Sequence, residues 1–75
     1  MTYSTHLFRH LRFTIGQNIH RLRARQELPL GKLAQLTGIS RDLLEYYEIG
    51  KGDIQLHEML KLACFFQVEM HDLLG

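Results

Sequence analysis

The chain has 75 residues, of which 45% are apolar, 23% charged and 9% aromatic. This composition is typical of one small folded domain and excludes a disordered chain and a large multi-step enzyme. The apolar runs are only a few residues long and no signal peptide is evident, so we expect neither a membrane span nor secretion. The single cysteine, Cys64, cannot form an internal disulfide bond, which favours the cytoplasm.

The net charge of +1 conceals a strong asymmetry along the chain. Residues 1–41 carry seven Lys or Arg and one acid, a net charge of +6. Residues 42–75 carry two Lys and seven acids, a net charge of −5. A basic segment of this size indicates a polyanion partner or, equally well, a solvated basic helix.

Apolar residues recur at helical spacing along the chain, and no run alternates with the period of a strand. A first helix is predicted near residues 14–26, with Thr14 and Gln17 as a capping box at its start. Pro29 lies near the first turn of a second helix, which Gly38 ends.

Three more helices are predicted after this glycine. Ser40 is suited to cap the third helix, and Gly50 and Gly52 end it. The apolar faces of the fourth and fifth helices are Leu56, Met59, Leu60, Ala63 and Phe66, and then Val68, Met70, Leu73 and Leu74. The sequence therefore predicts an all-α domain of five short helices over residues 14–75.

Residues 1–13 are interpreted as a leader that precedes this domain. Leu7, Phe8 and Leu11 have the spacing i, i+1, i+4, which permits one or two helical turns. The leader is therefore an extra helix that docks on a neighbouring subunit, a basic arm or a frayed end.

The segment around Gly38 has the pattern of a helix-turn-helix motif. Two helices that cross steeply need a small residue at their contact, here Ala34, and a residue tolerant of positive φ in the turn, here Gly38. Ile39 fills the gap between the helices, while Leu44 and Tyr47 seat the third helix on the core. The side chains left on the outer face are Arg41, Asp42, Glu45 and Tyr46. A helix exposed in this way fits the major groove of B-DNA.

In its motifs and their order, the sequence resembles the Cro/repressor-like helix-turn-helix family (the XRE family) over about residues 13–74. The matching motifs are Ile15-Gly16, Ile19, Leu22-Arg23, Leu33-Ala34, Gly38-Ile39-Ser40, Tyr47-Glu48-Ile49-Gly50-Lys51, Leu60, Leu62-Ala63, Phe65-Phe66-Gln67-Val68 and Asp72-Leu73-Leu74. The resemblance implies a five-helix lambda-repressor-like domain that regulates transcription by binding specific double-stranded DNA as a homodimer. It implies no enzymatic activity and no cofactor.

The resemblance also implies roles for individual residues. Arg23 and Glu48 correspond to a partly buried ion pair. Arg41 and Tyr46 occupy base-reading positions. Arg41 would donate to guanine, and Tyr46 would contact a thymine methyl or donate through its hydroxyl. The alternatives are a phosphate contact or a solvated charge for Arg41, and packing on the neighbouring helix for Tyr46. The DNA-binding residues expected in full are Lys32, Ser40, Arg41, Asp42, Glu45, Tyr46 and Lys51.

The two acids in this set have two interpretations. Asp42 and Glu45 can accept from cytosine N4, whereas an acid in the first turn also interacts well with the helix dipole. Both repel phosphate. Together with the apolar residues Leu30, Leu36 and Leu43 near the reading face, they favour an alternative function, a protein-interaction module such as an antitoxin.

Three residues depart from the family pattern. Leu30 replaces a polar residue at the start of the second helix, Ile54 replaces a loop proline, and Gln67 replaces the glycine or asparagine before the last helix. His6 and His10 have a spacing compatible with a metal but lack a third ligand, so we expect no metal site. The candidates for a dimer surface are Leu7, Phe8, Leu11, Phe65, Met70 and Leu74.

Overall fold

A computed structural model describes the backbone of residues 5–75 and the side chains of residues 9–75. The helices are α1 (Thr5–Arg25), α2 (Leu30–Thr37), α3 (Arg41–Glu48), α4 (Leu56–Phe66) and α5 (Met70–Leu74). The described residues form no strand, so the predicted all-α fold of five helices is confirmed. No helix among them is long and apolar enough to cross a membrane.

The first helix is longer than the sequence pattern predicts. α1 has 21 residues and runs without a break through Thr14, so it includes much of the expected leader. The predicted capping box of Thr14 and Gln17 is wrong, because the residues before Thr14 are already helical and their carbonyls accept the N–H groups that a cap would bind. Leu11 is half-buried and packs against the core, whereas the side chains of Leu7 and Phe8 lie outside the described residues.

The core is built from one face of every helix, as the apolar periodicity predicts. Its fully buried side chains include Ile19 from α1, Leu33 from α2 and Leu44 from α3. The buried apolar set in full is Ile15, Ile19, Leu33, Ile39, Leu44, Tyr47, Met59, Leu62, Ala63, Phe66 and Leu73. The inner face predicted for the third helix is therefore buried in this core.

The turn between α2 and α3 has the geometry that the sequence predicts. Gly38 has φ +76°, in the left-handed region, and its N–H donates to the Ala34 carbonyl at 2.8 Å. The Thr37 hydroxyl donates to the Leu33 carbonyl at 2.7 Å and accepts from the N–H of Ile39 at 3.3 Å. These bonds fix the direction in which α3 leaves the turn.

Besides α2, which ends at Gly38, three more helices end with a residue at positive φ. These residues are Glu27 (φ 51°) after α1, Gly50 (φ 78°) after α3 and Gln67 (φ 57°) after α4. In each case the next N–H donates to a carbonyl five residues earlier, which is the Schellman arrangement. The three bonds are Leu28 to Arg23 at 3.2 Å, Lys51 to Tyr46 at 2.9 Å and Val68 to Ala63 at 3.0 Å.

Gln67 occupies a position where glycine avoids a steric cost, since a side chain in the left-handed region crowds the following carbonyl. We expect Gln67→Gly to raise the free energy of unfolding by about 0.5–1 kcal/mol, once the greater entropy of glycine in the unfolded chain is subtracted. Urea unfolding measures the change. Gln67→Ala is the matched control, because alanine keeps the Cβ and brings no such gain. Equal stability of the two variants would contradict the prediction.

Candidate nucleic-acid interface

The outer face of α3 is the most exposed part of the helix-turn-helix motif. Leu44 and Tyr47 point inward, at 0% and 4% exposure, and leave the opposite side of the helix free. Ser40 precedes the helix as its N-cap residue, and its side chain makes no capping hydrogen bond. The exposed side chains on the outer face are Arg41, Asp42, Glu45 and Tyr46, as helical periodicity predicts.

Two exposed lysines lie on either side of α3 in the chain. Lys32 is exposed on the first turn of α2. Lys51 is exposed in the loop after α3, and its backbone N–H is fixed to the Tyr46 carbonyl at 2.9 Å. Both lysines are therefore exposed on the segments that precede and follow α3, and the outer face itself carries the acids Asp42 and Glu45.

The structure explains why an apolar residue, Leu30, departs from the family pattern at the start of α2. Leu30 is half-buried and packs against the core, so this position at the start of α2 contributes apolar packing. Leu36, Leu43 and Ile49, by contrast, are 52%, 41% and 54% exposed. The surface around α3 is thus partly apolar, which distinguishes it from a purely basic one.

Arg23 and Glu48 form a two-pronged ion pair between α1 and α3. Arg23 Nε donates to Glu48 Oε2 at 2.6 Å, and Nη2 donates to Oε1 at 2.9 Å. Arg23 Nη1 donates to the Leu28 carbonyl at 2.8 Å, so the same guanidinium also holds the loop between α1 and α2. His20 Nδ1 lies 3.0 Å from Glu48 Oε1. The C-terminal end of α3 is therefore fixed to α1 by polar contacts.

The pKa values of this pair follow from its contacts. Burial alone would raise the pKa of Glu48, but hydrogen bonds from Arg23 and His20 outweigh it, and the pKa lies below its ordinary value. The hydrogen bond to Glu48 raises the pKa of Arg23. Both groups are thus held in their charged forms at neutral pH.

Sequence reasoning missed two hydrogen bonds that join the helices, those of Tyr47 with Glu58 and of Asn18 with Leu73. Tyr47 Oη donates to Glu58 Oε1 at 2.5 Å, and Glu58 in turn accepts from the N–H of Gln55 at 3.3 Å. Asn18, which is buried, donates to the Leu73 carbonyl at 2.8 Å and so fastens α5 to α1. The Gln55-x-x-Glu58 spacing was a usable signal for the start of α4. No local pattern indicates the bonds of Tyr47 and Asn18, because their partners are far away in the chain.

Burial, together with the hydrogen bond to Glu58, raises the pKa of Tyr47 to about 12. Unfolding restores the ordinary value near 10, so the unfolded chain loses this proton first as the pH rises. We therefore expect the free energy of unfolding to fall between pH 10 and 12, by roughly 1.4 kcal/mol for each unit of that window. Urea unfolding at pH 9, 10 and 11 measures this. Tyr47→Phe should reduce this fall in the free energy of unfolding. Tyr46→Phe, which changes an exposed tyrosine, is the control and should leave the fall unchanged. An equal pH dependence in the two variants would contradict the assignment of the fall to Tyr47.

The described residues contain no group of three His, Cys, Asp or Glu side chains placed to hold a metal. His10 is exposed, whereas the side chain of His6, its suggested partner, lies outside the described residues. Cys64 is exposed and free.

Comparison with known proteins agrees with this geometry. A family model described as helix-turn-helix (HTH_3) matches residues 19–73, which is most of the chain. The chain belongs to this helix-turn-helix family. Helix-turn-helix domains place their second helix against DNA, so the family makes this chain a DNA-binding protein of the regulator type.

Two solved helix-turn-helix structures are similar to it. The restriction-modification controller protein C.AhdI from Aeromonas hydrophila is 31% identical, with a TM-score of 0.77, over 83% of this chain and 94% of its own. An HTH_3 family transcriptional regulator from Vibrio cholerae has a TM-score of 0.80 at 24% identity and shares the fold. The match covers 88% of this chain but only 37% of the Vibrio protein. No curated protein matches the sequence.

Proposed function

We propose that this chain is a sequence-specific transcriptional regulator that inserts α3 into the major groove of DNA and acts as a homodimer. The observation that carries the proposal is the exposed outer face of α3. This helix follows the hydrogen-bonded turn at Gly38, and Leu44 and Tyr47 hold its inner face in the core. An α-helix with one free face fits the width of the major groove.

Each exposed residue has a distinct role in this proposal. Arg41, on the first turn of α3, donates two hydrogen bonds to guanine, and Tyr46 contacts a thymine methyl one turn later. Lys32 and Lys51 bind phosphates at the edges of the face. The Ser40 hydroxyl, which makes no capping bond, is free to donate to a phosphate as well.

Asp42 and Glu45 give the face its selectivity. A carboxylate accepts from cytosine N4 and repels phosphate, so these two residues lower the affinity for DNA of unrelated sequence. Asp42 also lies in the first turn of α3, where it interacts well with the helix dipole.

The similarity to a controller protein supports a role as a DNA-binding regulator. C.AhdI is nearly covered by the match, and it controls a restriction-modification system according to its name. We place the dimer contact on α1, α4 and α5, where Leu74 is 40% exposed and Leu11, Phe65 and Met70 are half-buried. A two-fold dimer would present two copies of α3 about one helical turn of DNA apart, roughly 34 Å.

Selection from a random duplex library tests binding, specificity and symmetry together. The proposal expects a consensus of two inverted half-sites with a guanine in each. Failure to enrich any sequence at low salt would contradict specific reading, and a single unrepeated half-site would contradict the dimer.

Arg41→Ala and Lys51→Ala should weaken binding in different ways. Loss of Arg41 should cost about 1–3 kcal/mol on the selected site and relax the preference at one base pair, since its contact is to a base edge. Loss of Lys51 should weaken binding to all sequences alike. It should also make the plot of log affinity against log salt concentration shallower by about 1. Fluorescence anisotropy on the selected site and on its single-base variants separates the two. Identical behaviour of both variants would mean that Arg41 reads no base.

A protein-interaction module is the second candidate function. It is favoured by the acids on α3 and by the exposed apolar side chains of Leu36 on α2 and Leu43 on α3. A salt titration distinguishes the candidates, because DNA binding falls on a log–log plot with a slope near −0.9 for each phosphate neutralised. Absence of any DNA binding at low salt would favour the protein partner.

A further inference from the structure

α1 touches the loop that carries Lys51 at two points. Arg12 Nη1 donates to Asp53 Oδ1 at 2.7 Å. One residue later, Phe13 lies so close to Gly50 that a Cβ on residue 50 would be 3.1 Å from the Phe13 Cα. Arg12 is therefore held beside the loop on which Lys51, a phosphate contact under the proposed function, is exposed.

The ion pair that holds Arg12 is one that a phosphate can replace. The side chain of Asp53 is 85% exposed and that of Arg12 is 30% exposed, and ion pairs in such positions add little to stability. Within residues 9–75, Asp53 is the one hydrogen-bond partner of the Arg12 side chain, and Arg12 Nε is buried without a partner. The guanidinium is thus incompletely paired, and arginine binds phosphate with short charge-assisted bonds.

We propose that Arg12 is a further DNA-phosphate contact and that Asp53 competes with the phosphate for its guanidinium. The proposal rests on the proposed function and extends the DNA-backbone contact from Lys51 to α1. Its consequence is a built-in restraint on affinity. Each DNA molecule must displace Asp53 from Arg12, which weakens binding to all sequences by the same factor and leaves base preference unchanged.

Arg12→Gln tests the phosphate contact directly. Binding is measured by fluorescence anisotropy at several salt concentrations, on the selected duplex and on an unrelated duplex of equal length. We expect affinity for both duplexes to fall roughly fivefold and the log–log salt slope to become shallower by about 0.9. The matched control is Lys61→Gln, which removes one positive charge from the exposed side of α4. It should leave the slope unchanged.

Asp53→Asn separates competition from a purely structural role. If Asp53 competes with phosphate, this variant should bind both duplexes about threefold more tightly than the wild type. Most of this gain should be lost when Asp53→Asn is made in the Arg12→Gln variant. If Arg12 only holds the loop in place through Asp53, both single variants should weaken binding together with unchanged salt slopes. That result overturns the inference.

The outcomes also separate this inference from the function on which it rests. If Arg41→Ala and Lys51→Ala weaken binding while Arg12→Gln behaves like Lys61→Gln, the phosphate contact is wrong and the proposed function stands. If the wild-type chain holds no duplex at low salt, both fail. Thermal unfolding of each variant shows that it is folded at the temperature of the binding assay.

Discussion

Replacement of Gly16 by alanine is expected to destabilise the domain by at least about 3 kcal/mol, or to prevent it from folding. A Cβ at this buried position would lie 2.0 Å from the Tyr47 carbonyl oxygen and 2.9 Å from that of Glu48. Both are backbone atoms at the end of α3, so rotation of a side chain cannot relieve the overlap. α1 would have to move away from α3, and the ion pair of Arg23 with Glu48 would be disturbed with it.

Gly31→Ala is the matched control for this substitution. Gly31 is exposed within α2, and a Cβ there meets no atom within 4 Å. This variant should be more stable than the wild type by up to about 1 kcal/mol, because alanine favours the helix. Urea unfolding followed by circular dichroism measures both variants. An unfolding midpoint for Gly16→Ala close to that of the wild type would mean that α1 and α3 do not approach as closely as described.

Loss of the Arg23 guanidinium is the other change with a large expected effect. In Arg23→Met the Glu48 carboxylate, whose side chain is only 8% exposed, loses both hydrogen bonds from Arg23. A buried charge left without its partner costs about 3–5 kcal/mol, and we expect the lower end because His20 still faces Glu48. Urea unfolding at pH 7 measures the loss.

Two further measurements test the cause of this loss. Glu48→Met added to Arg23→Met removes the unpaired charge, so the double variant should regain part of the stability.

Acidification should also narrow the gap in free energy of unfolding between wild type and Arg23→Met. In the wild type the lowered pKa of Glu48 gives stability that is lost as the pH falls below about 4.5. In the variant, where burial dominates, protonation of Glu48 relieves the buried charge. A gap that is constant from pH 7 to 4, with no recovery in the double variant, would assign the loss to packing.

The first helix marks the limit of what local pattern can predict. Thr14 and Gln17 have the residue types of a helix start, and nothing nearby in sequence contradicts that interpretation. The helix nevertheless already includes Thr5, with Leu11 packed against the core and Arg12 bonded to Asp53. Contacts with distant parts of the chain stabilise these additional turns, so local propensity did not decide where the helix begins.

The candidate interface was predictable as a surface, but its support was not. Helical periodicity and the glycine at position 38 were enough to predict the turn and the outward positions of Arg41 and Tyr46. The family resemblance predicted the pairing of Arg23 with Glu48, and the structure contains this ion pair.

The sequence by itself therefore determined that the chain forms five helices, where the turn lies and which side of α3 is free, because each of these follows from spacing between neighbouring residues. Only the tertiary structure decided that Gly16 admits the backbone of α3, that Tyr47 bonds Glu58 and that Asn18 fastens the end of α5. These contacts join residues 11 to 55 positions apart in the chain. Their partners are selected by the way the helices pack, and no periodicity along the chain encodes that packing.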